Sequence, residues 1–325
     1  MAIFTIDVPS NDNLRRTQDT VIPFLLNHSR IRGRIAKMGP VIDEILNRHR
    51  YPAAVSHLLG EALLVAGLLA TLLEPGGKIT IQAKGMGPIN FMVVDGDPEG
   101  RLRGYVNIIK GFDFRKIRAD AALSKLLGNG HLAITIDHAT LNQRYQGIVA
   151  IGNGSFAECI EQYFSSSEHL DAKLRLLVGK VHTVVDIGQD KKKDKPHWYA
   201  GGILLQREPD SGNDPEHQVK LDNKWEEAKI FVDSITDKEL LEPTLNSDQL
   251  LFRLFHEDGV WVYDPAPLNA ECSCSRKKIE DFLKRLPDDD IDHMKQDKKI
   301  TVTCEFCRKT EIFTEPDIVV LRQDS

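Results

Sequence analysis

Apolar and polar positions alternate with period two in several short stretches of the first two-thirds of the chain. Lys78–Ala83 (KITIQA) alternates cleanly, and Asn90–Asp95 (NFMVVD) and Arg101–Ile108 (RLRGYVNI) flank the turn GDPEG. His131–Asp137 (HLAITID) and Tyr145–Ile151 (YQGIVAI) make a second pair. Two alternating runs around a turn rich in Gly, Pro and Asp predict a hairpin, because those residues supply the backbone angles a reversal needs. Ile31–Met38 (IRGRIAKM) also predicts a strand, as do KLRLLV and GGILLQ further on. Helical spacing lies between. Pro40 opens PVIDEILNRH, Pro52 opens a second helix that EPGG stops near Leu73, and Ser155 caps FAECIEQYF. Strands and helices mixed without a regular βαβ alternation predict an α+β fold.

The texture changes after Gln206. A polar break, REPDSGNDPEH, leads into three short charged helical stretches, NKWEEAKIFV, TDKELLE and SDQLLFRLFHED. Their apolar stripes need another surface to bury against, and short isolated helices are marginal in water. The segment is expected to be a metastable linker, with Trp225, Ile230, Phe231, Leu251 and Phe255 docking on the first domain. The expected organisation is an N-terminal mixed helix/sheet core over 1–206, a helical linker over 207–269 and a small C-terminal domain over 270–325. The basic run Gly188–Tyr199 (GQDKKKDKPHWY) is expected to be a solvated loop. The apolar run Ala62–Leu73 is too short for a bilayer of about 30 Å and predicts a buried core helix instead.

A length of 325 residues suits two domains or a domain with an appendage, and a formal net charge of −6 gives no general reason to expect DNA or RNA as a partner. The opening MAIFTIDVPSNDNLRR lacks the basic start, apolar core and small-residue cleavage site of a signal peptide. The expectation is a cytoplasmic protein with no membrane partner. In that compartment stable disulfides are rare, and paired cysteines more often mean metal or redox chemistry.

Four of the five cysteines fall in two tight pairs, Cys272/Cys274 and Cys304/Cys307. A C-x-x-C pair presents two thiolates from one turn. In an extended C-x-C pair both side chains point the same way. Four thiolates at about 2.3 Å make a closed structural zinc site, so the reading is one Zn²⁺ per chain, held by Cys272, Cys274, Cys304 and Cys307. Such a site is doubly negative, and Arg276, Lys277, Lys278, Arg308 and Lys309 would soften that charge. The segment from Cys272 onward has too small a core to stand securely alone. Structural zinc supplies on the order of 10–16 kcal/mol in small modules, so its removal should unfold this one. Each pair could also close its own disulfide. Four cysteines allow three pairings, and sequence proximity favours Cys272–Cys274 with Cys304–Cys307. Oxidised sulfurs would no longer ligate the metal. The fifth cysteine, Cys159, lies in the FAECIEQYF helix and reads as buried and inert.

With these motifs the whole chain resembles the 33 kDa chaperonin (heat-shock protein 33) family of bacterial redox-regulated chaperones. The resemblance rests on the C-x-C…C-x-x-C signature and on RYQGIVAI (Arg144–Ile151), EQYFSSSEHL (Glu161–Leu170), AGGILLQ (Ala200–Gln206), RLFHEDGVWVYDP (Arg253–Pro265) and YPAAVSHLLGEALLVAGLLA. It implies an α+β domain, a metastable linker and a zinc domain. It also implies activation by oxidative stress, with loss of zinc, formation of two disulfides, unfolding of the linker and homodimerisation. The active form would hold unfolding client proteins without ATP and pass them to ATP-dependent refolding chaperones. Two departures stand out: family members often carry glycine soon after the last cysteine, where this chain has Arg308 and Lys309, and GQDKKKDKPHWY is longer than the usual connection.

Other functions fit less well. A zinc-ribbon nucleic-acid binder would use the same cysteines as scaffold, but it needs a coherent basic face, and the last segment also carries PDDDIDH and EIFTEPD. A catalytic zinc site keeps a coordination position open for water, and four cysteines leave none. GNGHLA (Gly128–Ala133) precedes a strand-like run, the reverse of a dinucleotide fingerprint, and HLLGE (His57–Glu61) lacks the H-E-x-x-H arrangement. No phosphate-binding loop is present, and no catalytic residue is expected. A static zinc clip without a switch is the remaining reading.

Overall fold

The most apolar helix among the described residues organises the larger part of the molecule. In this computed structural model, which describes residues 18–118, 121–140, 143–186, 192–209 and 214–323, helix α2 runs Ala53–Ala70. It is apolar all round, with a mean hydropathy of 1.8, and 83% of it is buried inside the protein. A helix without a polar face is stable in a water-soluble fold only when covered on all sides. Two antiparallel sheets do that here. One is formed by β3 (Lys78–Gly85), β4 (Ile89–Gly96), β5 (Leu102–Ile108), β6 (Gly130–His138) and β7 (Gln143–Ala150), in the order β5-β4-β3-β6-β7. The other contains β1 (Thr20–Leu26), β2 (Ile31–Met38), β8 (Ala172–Asp186), β9 (Lys192–Arg207) and β10 (Val260–Val262), in the order β10-β1-β2-β9-β8, and β11 (Ala266–Pro267) also pairs with β1. Gly60 and Gly67 let the helix sit close. A Cβ at Gly60 would meet Val178 at 2.8 Å, and one at Gly67 would meet Met38 at 2.8 Å.

The α+β expectation holds, and the two predicted hairpins are present in register. Ser155 forms a full capping box with Glu158 at the start of α4 (Phe156–Tyr163), and Cys159 is buried in that helix. Strand β1 carries Pro23, a residue that argues against a strand by sequence. Its partner changes along its length, β11 pairing with Thr20 and Val21 and β10 with Phe24–Leu26, so Pro23 sits opposite the break.

The basic run Gly188–Tyr199 departs from the loop expectation. From Lys192 onward it is strand β9, paired residue for residue with β8; residues 187–191 lie outside the described residues. A ladder satisfies backbone N–H and C=O groups whatever the side chains are, so charge content did not reveal it. Trp198, in the same run, is buried, and its N–H donates to Asp43 at 2.9 Å. That carboxylate sits on α1 (Pro40–Asn47) and also meets His197 Nδ1 at 2.8 Å.

The sheet containing β2 has two apolar faces. Ala36, Met38, Ala200 and Leu204 pack toward α2. Ile22, Phe24, Leu26, Ile31, Ile35, Ile203 and Leu205 form a second face. Over it lie α5 (Pro215–Asp233), α6 (Asp237–Leu241) and α7 (Ser247–Phe255). Asp214 caps α5, a Thr236/Glu239 capping box starts α6, and Asn246 caps α7. Trp225, Leu251 and Phe255 are buried against the sheet and Phe231 is partly buried. Ile230 is not part of this interface: it is 66% exposed, because Trp225, Ala228 and Val232 set the buried stripe of α5 on another side of the helix.

By its internal contacts the chain divides into units 1–270 and 271–325. The second contains α8 (Arg276–Leu283), α9 (Asp288–Met294), the hairpin β12 (Lys299–Thr303) and β13 (Thr310–Thr314), and α10 (Glu315–Gln323). Its buried core is Leu283, Ile291, Ile300, Phe313 and Ile318.

Candidate metal centre

The four paired cysteines come from two pieces of backbone within the second unit. Cys272 and Cys274 lie in the irregular segment just before α8, whose start is fixed by the Ser275 hydroxyl accepting from the Lys278 N–H at 3.2 Å. Cys304 and Cys307 occupy the turn between β12 and β13. The Cys304 N–H donates to the Lys309 carbonyl at 2.9 Å, and the Arg308 N–H donates to the Cys304 carbonyl at 2.9 Å. N–H groups of Cys307 and Phe306 also face the Cys304 sulfur. The hairpin register thus delivers the second pair, and the cap of α8 fixes the first.

All four Sγ atoms lie within 4.8 Å of one another. Cys272 Sγ is 3.8 Å from Cys304 Sγ, and Cys274 Sγ is 3.3 Å from Cys307 Sγ. A tetrahedron of sulfurs bonded at about 2.3 Å has edges of about 3.8 Å, so these side chains fit a metal ion. Their electrostatics point the same way. Burial, and then the neighbouring thiols, push the Cys274 thiol far up. Burial also raises Cys304, against the lowering effect of its two N–H donors. Sulfurs this close cannot all be thiolates unless a cation sits among them.

The basic residues around the cysteines are arranged differently from the sequence expectation. Arg276 is paired with carboxylates: Glu280 at 3.2 Å, Glu311 at 3.6 Å and Asp317 at 3.4 Å. It also donates to the Ile312 carbonyl at 3.0 Å and lies over the Phe313 ring at 4.2 Å. It therefore braces α8 against the hairpin and α10, a role its i,i+4 spacing to Glu280 hints at. Arg308 meets Glu305 at 3.4 Å. Lys309 is bound to Glu311 at 2.8 Å, which raises its pKa, with smaller contributions from Cys274 and Cys307.

A family model described as Hsp33 protein matches residues 19–314. The chain belongs to the Hsp33 family. The 33 kDa chaperonin of Caulobacter vibrioides is 36% identical to it over 90% of this chain and 93% of that protein. That of Proteus mirabilis is 35% identical over 93% and 95%. The crystal structure of the 33 kDa chaperonin (heat shock protein 33 homologue) from Thermotoga maritima superposes with a TM-score of 0.75 at 24% identity, covering 94% of this chain and 98% of that one, and shows the shared fold. Hsp33 is a chaperone family rather than an enzyme class, so this chain's function is that of a chaperone, which implies binding to client proteins.

Proposed function

We propose that this Hsp33 chain is a redox-regulated, ATP-independent holdase of the cytoplasm. In the reduced state Cys272, Cys274, Cys304 and Cys307 hold one Zn²⁺. When bound, the ion lets four thiolates share one small volume and so ties the turn at Cys304–Cys307 to the segment ahead of α8. The observation that carries the proposal is the second apolar face of the β2 sheet. Among the described residues, Ile22, Phe24, Leu26, Ile31, Ile35, Ile203 and Leu205 pack against Trp225, Ala228, Val232, Leu251 and Phe255 of the segment that leads to the cysteines. A surface of that size, once uncovered, is what an unfolding protein would bind.

Oxidation supplies the trigger. In each pair, two thiolates, one molecule of hydrogen peroxide and two protons from solvent give one disulfide and two waters: the O–O bond breaks, the S–S bond forms, and two electrons pass from the sulfurs to the peroxide. We assign the pairs as Cys272–Cys274 and Cys304–Cys307. Cys272 Sγ also lies 3.8 Å from Cys304 Sγ and Cys274 Sγ 3.3 Å from Cys307 Sγ, but those contacts need the second unit intact, whereas a C-x-C or C-x-x-C loop stays closed in a melting chain. A disulfide has no thiolate charge to offer, and a unit with a five-residue core then loses its main support.

The connection to the linker is covalent and short. Leu268 N–H donates to the Asp19 carbonyl at 2.7 Å, Asn269 N–H to that of Gly100 at 2.8 Å, and Arg48 Nη2 to that of Ala270 at 3.0 Å. This seam ends two residues before Cys272. Disorder beginning there would propagate into β11, β10 and the helices before them. The uncovered face would take clients, pair with a second copy as a homodimer, and later yield clients to ATP-dependent refolding chaperones. Disulfide mapping of peroxide-treated protein, with light scattering of a thermally unfolding client in the same samples without ATP, tests this. Suppression by oxidised protein carrying the two local disulfides supports it; suppression equal before and after oxidation contradicts it. The nucleic-acid reading gains no support, because Arg276, Arg308 and Lys309 are bound to carboxylates.

A further inference from the structure

Among the charged side chains on the face that α5–α7 cover, Lys173, Arg175 and Arg207 pair with the partly exposed carboxylates of Asp233, Asp237 and Asp222, whereas Lys37 is buried under α6. Ile31, Gly33, Ile35 and Lys37 alternate to the same side of β2, and Lys37 is only 5% exposed. Its ammonium donates three hydrogen bonds, to the carbonyls of Glu239 at 3.0 Å, Glu242 at 3.0 Å and Leu245 at 2.8 Å. An ammonium has three donors, so it is fully satisfied by backbone oxygens from one short stretch. The Glu239 carboxylate turns elsewhere, to Arg253 at 2.8 Å, and the Glu242 carboxylate to the Thr244 hydroxyl at 2.8 Å.

Those carbonyls are at the end of α6 and in the turn that leads to the Asn246 cap of α7. Helix α6 is five residues long, and the last carbonyls of a helix have no partners within it. A cation at that end is favoured by the helix dipole. The sheet is shaped to receive it. Gly201, paired with Lys37 across β2 and β9, leaves the α6 backbone seated directly on the strand, since a Cβ there would fall 2.3 Å from the Leu240 carbonyl. Gln18 adds a bond to the Pro243 carbonyl at 3.4 Å.

We propose that Lys37 is the latch of the linker: its ammonium holds residues 237–246 in register on the β2 sheet, and this contact limits client binding by the reduced protein. The apolar contacts of α5 and α7 provide adhesion but little register, because burial is non-directional, and the ion pairs Lys173–Asp233 and Arg175–Asp237, whose carboxylates are exposed, add little to it. The three convergent bonds fix one position. They are also polar on both sides, so water replaces them once the segment lifts, which suits a contact that must open. Burial of the ammonium lowers its pKa to about 8, with Glu242 and Glu239 partly opposing this, so the contact is held under a desolvation load. The effect of the latch on activity rests on the holdase reading; its effect on the linker does not.

The test is hydrogen exchange and client aggregation measured on the reduced, zinc-loaded chain carrying Lys37→Met. Methionine keeps the length and apolar body of the side chain but leaves three buried carbonyls without donors. Exchange in 237–246 should rise by about tenfold to a hundredfold, with zinc content and protection of α2 unchanged, and client aggregation should be suppressed without oxidant. Should Lys37→Met lower the yield of folded chain, Lys37→Gln, which retains a donor, reads the same segment. Gly201→Ala should release the same residues by displacing Leu240, and the double variant should add little, as expected when two changes break one contact. Unchanged exchange in 237–246 in both Lys37 variants overturns the latch. Raised exchange without client protection upholds the latch and counts against the holdase reading, since the covered face would then not be the client-binding one.

Discussion

Replacing Arg308 by glycine should make the four-cysteine site of the second unit hold a metal ion more tightly. Arg308 follows the last cysteine and sits at φ 62°, the left-handed region that side chains with a Cβ disfavour. Its N–H closes the turn onto the Cys304 carbonyl, so the angle is imposed by the geometry that aims Cys304 and Cys307. The steric cost for a residue with a Cβ is roughly 1–2 kcal/mol. Glycine removes it, but glycine in the unfolded chain has more freedom to lose, worth about 0.4–1 kcal/mol. The Arg308–Glu305 pair, exposed on both sides, adds little to lose. The net gain is about 1 kcal/mol, close to a fivefold change in an equilibrium constant. Because the turn must form to bind metal and need not form in its absence, that factor falls on metal affinity. Competition with a chromophoric chelator on the reduced chain reads it directly. Arg308→Gly should need about five times more free chelator for half-removal, and Arg308→Ala, which keeps a Cβ, should match the unaltered chain. If Arg308→Gly gives up metal as readily as Arg308→Ala, the turn is not strained and the reasoning fails.

Three further outcomes follow from the packing and charges. Phe255 is fully buried and its ring is 6.0 Å from that of Phe24 across the linker interface; Phe255→Ala should cost about 3–5 kcal/mol, seen as a lower denaturant midpoint for the 215–255 segment by exchange. Asp95 is buried, which alone would raise its pKa, but the Thr80 hydroxyl at 2.7 Å and the charges of Lys78 and Arg103 outweigh this and hold it below 3.8. A group with a depressed folded pKa stabilises above its unfolded value, so this contribution should be intact above pH 3.8 and fade as pH falls through the folded pKa; Asp95→Asn should flatten that acid limb in denaturant titrations between about pH 5 and 2. Removing metal from the reduced chain should bring amides throughout 276–314 to near-unprotected exchange while α2 stays protected, and persistent protection of β12 and β13 would show that the five-residue core suffices alone.

The parts of the fold that were legible in the sequence are those where one short-range pattern decides. Period-two runs around GDPEG located β4 and β5, and Ser155 with Glu158 located the start of α4. The apolar run after Pro52 located the buried helix, because nothing but full coverage can stabilise a helix without a polar face. What the sequence hid depends on distant partners. Strand β1 is permitted its proline only because β10 and β11, more than two hundred residues later, break opposite it. The ribbon at Lys192–Tyr199 is held by a backbone ladder that side-chain charge does not report. Ile230 reads as apolar and helical, but the side of α5 that is buried is chosen by the sheet. At the candidate site, spacing grouped Cys272, Cys274, Cys304 and Cys307, while the engagement of Arg276 with Glu311, Asp317 and Phe313 required the hairpin register. Lys37 was invisible for the same reason: a lysine in IRGRIAKM gives no sign that three carbonyls from 239–245 will converge on it.

The central claim is that loss of metal and gain of client binding are one event. The measurement that tests it most directly is zinc release, followed with a chromophoric chelator while reduced protein is treated with hypochlorous acid or warm peroxide, with light scattering of a heat-unfolded client recorded on the same samples. The account predicts that the two time courses superimpose, and that returning the chain to thiols with zinc reverses both. Complete zinc release with no protection of the client would contradict it and leave the four cysteines as a structural clip.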